Sequence, residues 1–129
     1  METTDFPLAC GPLEPWTLEV DATVIVGGAL CTLDYYPVHH DTRAAHDKGL
    51  PDIILNSPTL EGYLLRYITD SLGPSVRVLG ITYRLFQPTV PGDVLHFTGE
   101  VLHNGEGYIA ELEVTHQRGV ASSAKVTLG

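Results

Sequence analysis

One stretch of the chain, residues 57–74, is patterned as an amphipathic helix with both ends marked, and nearly everything around it is patterned for strands. Ser57 stands where an N-cap is wanted, and Pro58 follows at the first helical position, where its missing N–H costs nothing. Leu60, Tyr63, Leu64, Tyr67, Ile68 and Leu72 recur at helical spacing until Gly73-Pro74 stops the run. The spacing predicts a helix over residues 58–72. After Pro74 the period changes to two. Leu79, Ile81, Tyr83 and Leu85 alternate, then Leu95, Phe97 and Val101, then Tyr108, Ala110, Leu112 and Val114, then Val120, Ser122, Ala124, Val126 and Leu128. Asn104-Gly105 between two such runs predicts a hairpin turn, and Gln117-Arg118-Gly119 predicts the next.

Ahead of the helix, Leu18, Val20, Ala22, Val24 and Val26 also alternate, which predicts a strand continuing to Leu33. Residues 1–17 carry three prolines and read as an irregular leader. Residues 34–41 read as a loop, and Thr42 to Lys48 as one or two helical turns capped by Asp41. One helix with five or six strands is the pattern of an α+β fold, the helix lying on a curved antiparallel sheet. Gly62, inside the helix, costs about 1 kcal/mol relative to alanine, and its expected justification is the close approach of something docked there.

A chain of 129 residues holds one domain, spanning residues 1–129. Seven Lys and Arg against sixteen Asp and Glu give a net charge of −9, which disfavours nucleic acid and anionic lipid, because both demand a basic surface. No apolar run approaches the length of a membrane span, and the N-terminus lacks the basic and hydrophobic segments of a secretory signal. Cys10 and Cys31 form neither a disulfide framework nor a spaced zinc site. The expectation is a cytoplasmic protein with no metal.

Chemistry concentrates in Asp34-Tyr-Tyr-Pro-Val-His39. A carboxylate and an imidazole one loop-turn apart can hold a water between them and form a general acid–base unit. The spacing alone decides nothing, since the composition yields about 0.4 such pairs by chance, and Asp34 capping a turn beside a half-exposed His39 satisfies it equally. His40 and His46 read as solvated, Asp41 as a helix cap, and Tyr35 and Tyr36 as pocket or packing residues. His96, His103 and His116 make no spaced metal site.

The segment from Asp34 to Asp41, followed by Ala44 and Ala45, resembles the signature of the MaoC-like hotdog hydratases. Pro91-Gly92-Asp93 and Gln117-Arg118-Gly119-Val120 are similar to two further landmarks of that family, and the likeness runs over nearly all of residues 18–128. Within the family, His39-His40-Asp41, the stretch from Arg66 to Asp70, and Gly73-Pro74 most resemble the small subunit of actinobacterial steroid side-chain hydratases. The resemblance implies a hotdog fold, with a sheet wrapped around the long helix, and hydration of a trans-2-enoyl-CoA to a 3-hydroxyacyl-CoA. It implies Asp34 as the principal proton acceptor and donor, and His39 as the group that orients water, the two being able to exchange roles. It implies no cofactor beyond the coenzyme A that carries the substrate. Asn56 and Ser57 stand where many members have His-Gly. They are the candidate donors to the thioester oxygen, which gathers charge at the helix entrance; the alternatives are that Ser57 is a plain N-cap serving only the helix and that Asn56 simply pins the loop.

The seven basic residues are scattered and offer no cluster for the nucleotide end of coenzyme A. A second hotdog subunit is therefore expected to supply much of that contact, a non-identical partner ahead of a homodimer. Two rivals follow from the same resemblance. One is an acyl-CoA thioesterase, whose acid would be Glu61 on the helix; the other is a non-catalytic subunit that completes a partner's pocket.

Overall fold

The computed structural model describes residues 8–129. Six strands, all paired antiparallel, form one sheet: β1 (Gly11–Pro12), β2 (Trp16–Glu19), β3 (Val78–Leu85), β4 (Val94–Asn104), β5 (Gly107–His116) and β6 (Gly119–Leu128). The order across the sheet is β1-β4-β5-β6-β3, with β2 also paired to β4. Three helices accompany it: α1 (Ala22–Cys31), α2 (Thr42–Asp47) and α3 (Ser57–Leu72). Together these make the α+β hotdog architecture, in which α3 lies against the inner face of the sheet. Among the described residues no helix is long and apolar enough to cross a membrane.

The alternation in the late strands sets which face is buried. Tyr108, Ala110, Leu112 and Val114 of β5 and Ala124, Val126 and Leu128 of β6 point inward, onto Leu60, Leu64, Tyr67 and Ile68 of α3. Full burial of each large aliphatic side chain here contributes about 1.5–3 kcal/mol. Gly99 takes an inward position on β4 between Phe97 and Val101. A Cβ there would lie 2.5 Å from Leu112 Cδ2 and 2.8 Å from the Glu111 carbonyl, so the bare backbone lets the neighbouring strand close in. A bulge in β6 skips one residue, because Val114 pairs with Ser122 while Thr115 pairs with Val120. Ala121 and Ser122 are consequently both buried.

Several expectations are corrected. The alternating run from Leu18 is not one strand to Leu33. The strand ends at Glu19, and residues 22–31 are helical. Asp21 starts α1 by accepting the Val24 N–H at 2.8 Å, and the helix buries Ile25 and Ala29, four residues apart, against the core. Packing overrides the poor helix propensity of Thr23-Val24-Ile25-Val26 and two glycines. The leader is not wholly irregular either. Gly11–Pro12 and Trp16–Glu19 pair with β4, and Trp16 packs against Phe97 with the rings tilted by 37° and their centroids 4.8 Å apart; residues 1–7 lie outside the described residues. The hairpin after β4 turns on Gly105 and Glu106, since Asn104 pairs with Gly107, and Gly105 alone supplies the positive φ, 64°. At Gly62 a Cβ would meet open space, so nothing among the described residues requires that glycine.

Candidate active site

The loop that follows α1 brings Asp34 and His39 together through a succession of local hydrogen bonds. Helix α1 ends in a Schellman motif: the Leu33 N–H donates to Leu30 O at 3.1 Å and the Asp34 N–H to Ala29 O at 2.8 Å. Leu33 takes the left-handed position, φ 57°, which is normally glycine's, and its side chain is exposed. Because the left-handed conformation costs a non-glycine residue about 1 kcal/mol, Leu33→Gly is expected to raise stability by up to about 1 kcal/mol. Thermal or denaturant unfolding measures this, and a loss of stability would show that Leu33 carries no such strain.

Asp34 then closes an Asx turn by accepting the Tyr36 N–H on Oδ1 at 3.2 Å. Pro37 opens a single 3-10 turn, Pro37–His39, that buries Val38 and His39. The Ile54 N–H donates to Val38 O at 3.0 Å, which ties this turn to the segment entering α3. As a result Asp34 Oδ2 and His39 Nε2 lie 3.3 Å apart, with side-chain exposures of 29% and 10%. The opposite edge of the imidazole faces the Ile54 carbonyl, with Nδ1 at 2.8 Å. A carbonyl only accepts, so Nδ1 carries the proton. Nε2 of the neutral ring is then a bare acceptor beside a carboxylate oxygen. Two acceptors in contact call for a shared proton or for a water lying to one side that donates to both.

The Asp34 carboxyl is held below its usual range, chiefly by the Asn56 side chain, then by the Tyr36 N–H; partial desolvation opposes them and the His39 ring adds a smaller lowering. Asn56 is buried and is itself the N-cap of α3, its Oδ1 accepting the Thr59 N–H at 3.2 Å. The expected cap, Ser57, stands one position inside the helix, with Pro58 after it. This shift leaves Ser57 with a backbone N–H at the helix entrance that has no hydrogen-bond partner among the described residues. Asn56 and Ser57 thus differ in availability: the Asn56 amide is engaged within the chain, and the Ser57 N–H is free.

Beside this entrance is a cavity of about 210 Å³, walled by Leu55, Ser57 and Leu60 on one side and Leu85, Phe86 and Thr89 on the other. A larger concavity of about 1040 Å³, lined by Glu100, Glu111 and Lys125, belongs to the strands, and neither hollow is lined by Asp34 or His39. His40 and His46 are exposed and bond to the carbonyls of Tyr35 and Pro51, and Asp41 caps α2 through the Arg43 and Ala44 N–H groups. No cluster of three metal-ligating side chains occurs among the described residues. Sequence reasoning did not foresee the role of Thr32, whose Oγ1 accepts from Asn56 Nδ2 at 2.8 Å; only a helix ending there, rather than a strand, could have signalled it.

The 3-oxo-4,17-pregnadiene-20-carboxyl-CoA hydratase beta subunit of Mycobacterium tuberculosis is 42% identical to this chain over 89 residues, 69% of each chain. A solved chain of the ChsH1-ChsH2 complex from Mycobacterium tuberculosis superposes with a TM-score of 0.90 at 34% identity, over 96% of this chain and 98% of that one. The (R)-hydratase from A. caviae involved in PHA biosynthesis shares the fold at 19% identity, with a TM-score of 0.85 over 95% and 97% of the two chains. The family model for the MaoC-like domain matches residues 12–124, and with the relative above it shows that this chain belongs to the MaoC-like family.

Proposed function

We propose that this chain is the catalytic subunit of an enoyl-CoA hydratase that adds water to a trans-2-enoyl-CoA with a bulky, steroid-like acyl group, giving the (R)-3-hydroxyacyl-CoA. The observation that carries the reading is the contact between Asp34 Oδ2 and His39 Nε2. A water donating one O–H to each would have its oxygen lone pair directed outward at C3. As that oxygen bonds to C3, Asp34 takes the water's proton and His39 steadies the remaining O–H. C2, now carbanionic, receives a proton from the Asp34 carboxyl on the same face. The electrons displaced onto the thioester oxygen meet the free Ser57 N–H and the positive end of α3. Water and the two side chains balance the reaction, and coenzyme A serves only as the carrier of the acyl group.

The size of the pocket supports a second hotdog subunit as partner. A cavity of about 210 Å³ is smaller than the roughly 300–1,000 Å³ of ordinary ligand sites, and a fused-ring acyl group needs more. Among the described residues strand β3 forms one edge of the sheet, and Val78, Leu79, Leu85 and Phe86 on and just after it are exposed. An apolar edge invites another chain. The net charge of −9 leaves the anionic nucleotide to be held elsewhere. The likeness to a chain from a two-component complex favours a non-identical partner over a second copy. Exposed thiols at Cys10 and Cys31 suit the reducing cytoplasm.

The test is incubation with enoyl-CoA thioesters of graded bulk, with the chain alone and with candidate hotdog partners. A mass gain of one water, strongest for the bulky thioesters and dependent on the partner, is the expected result. Release of free coenzyme A without hydration would instead establish the thioesterase rival and turn attention to Glu61.

A further inference from the structure

Resting on the reading of Asp34 as the proton acceptor, we infer that Asn56 is a positioning residue: its buried amide orients the Asp34 carboxylate and ties it to the junction of α1 with α3, and does not bind the thioester.

The hydrogen bonds fix which way the amide points. The Thr59 N–H can only donate, so the atom facing it at 3.2 Å must be Oδ1. Thr59 Oγ1 donates to the same oxygen. Nδ2 therefore faces the other way and spends both protons there, one on Thr32 Oγ1 at 2.8 Å and one on Asp34 Oδ2 at 3.1 Å. Thr32 can accept because its own hydroxyl proton goes to the Gly28 or Ala29 carbonyl, at 2.8 and 3.1 Å. With Asn56 only 3% exposed and both Nδ2 protons engaged, its side chain has no donor left for a substrate oxygen.

The same residues hold the two helices together. A Cβ on Gly28 would lie 2.8 Å from Thr59 Cγ2 and nearer still to its hydroxyl, so α1 meets the start of α3 at a glycine. That approach brings Thr32 and Asp34, at the end of α1, within reach of a side chain at the entrance of α3. Asp34 Oδ2 then has Asn56 on one flank and His39 on the other, which fixes a carboxylate that would otherwise rotate in a partly exposed loop. The Asn56 hydrogen bond is also the foremost influence lowering the Asp34 pKa.

The test uses Asn56→Asp and Asn56→Ser in the active assembly. Both retain an oxygen for the Thr59 N–H and so keep the helix cap, but neither donates to Asp34 as the amide does. In Asn56→Asp a second carboxylate beside the first is expected to raise the acid limb of kcat/KM by about one pH unit or more. The kcat at neutral pH should fall about tenfold or more, with KM nearly unchanged. Asn56→Ser adds no charge and should move the limb the same way by less. Thr32→Val, which frees the amide to turn, should do likewise. Folding is monitored by circular dichroism, and if Asn56→Asp does not fold, Asn56→Ser and Thr32→Val decide. Folded variants with the original acid limb and kcat would make Asn56 a cap and nothing more. A raised KM with kcat and limb intact would make it a substrate contact. Either outcome overturns the inference. Asp34→Asn is run alongside: if it remains active, the hydratase reading itself fails, whereas an inactive Asp34→Asn with unaltered Asn56 variants removes only the positioning role.

Discussion

Asp34→Asn is expected to lower kcat for hydration about 1,000-fold, within the range typical of removing a positioned acid–base group, while leaving the fold and thioester affinity nearly intact. The two side chains have almost the same shape. The carboxylate accepts from the Tyr36 N–H on one oxygen and from Asn56 Nδ2 on the other, and the amide can meet only one of these with an oxygen. The other donor then faces an NH2 group, a cost of about 1 kcal/mol that unfolding measurements can subtract. A thioesterase acting through Glu61 would keep its hydrolytic rate in the variant, and a subunit that merely completes a partner's pocket would keep the hydration rate of the assembly. The pH dependence supplies an independent check. Because the folded Asp34 pKa lies below its ordinary value of 3.8, the carboxylate is ionised throughout the neutral and mildly acidic range. Its contribution to the rate is lost only as pH falls through that lowered value. The same direction applies to stability: the contribution of this group is complete above the unfolded pKa and disappears as pH drops through the folded one. An acid limb of kcat/KM near neutrality in the unaltered protein would contradict this account of Asp34.

The Asp34–His39 contact is local, since an Asx turn and one 3-10 turn suffice to juxtapose residues five apart, yet its spacing is one that chance also yields, and it was the resemblance of the whole segment to a family signature that singled the pair out. The late strands and α3 were legible, since each buries one face and writes that face into its period. Helix α1 was not. Its alternating Leu18, Val20, Ala22, Val24 and Val26 fit a strand, and what makes the second half helical is the Asp21 cap together with burial of Ile25 and Ala29, which are events of packing. Mistaking α1 for a strand also hid its C-terminus, and with it the means by which Thr32 and Asp34 reach Asn56. Leu33 in the left-handed position concealed the helix end further, because glycine is the usual marker there. Asn56 itself was noticed for its place before the helix, but the direction of its amide depends on Thr59 in α3 and Thr32 at the C-cap of α1, and no spacing rule encodes that meeting.

Arg118→Met is expected to destabilise the protein by about 2 kcal/mol, less than breaking a fully buried ion pair costs, because the Arg118 side chain is 36% exposed while Asp93 is buried. In a domain of this size that is a fall of roughly 7 °C in melting temperature. The two landmarks Pro91-Gly92-Asp93 and Gln117-Arg118-Gly119 meet here. The Asp93 side chain is 1% exposed, and its oxygens accept from Arg118 Nη1 at 2.7 Å and Nη2 at 2.6 Å, from Gln117 Nε2 at 3.1 Å, and from the Val90 N–H at 2.9 Å. Burial pushes the Asp93 pKa up, but the hydrogen bonds from Arg118 and Val90, together with the charges of Arg118 and His116, outweigh it and the net shift is downward. The stabilisation is therefore full above the unfolded carboxylate pKa and is lost as pH falls through the lowered folded value. Without Arg118, Asp93 stays buried with its charge uncompensated, which is why one partner's loss costs more than the pair contributes. Replacing both, as Asp93→Asn with Arg118→Met, should cost clearly less than the two single changes added together. The effect should also reach the site, because Arg118 Nη2 holds the Pro88 carbonyl at 3.0 Å and the next residue, Thr89, accepts the Leu55 N–H at 2.9 Å, immediately before Asn56. Loosening that segment predicts a modest loss of kcat in Arg118→Met even well below its melting temperature. Additive single and double variants would mean that Asp93 and Arg118 act independently, and an unaltered kcat would confine the pair to stability.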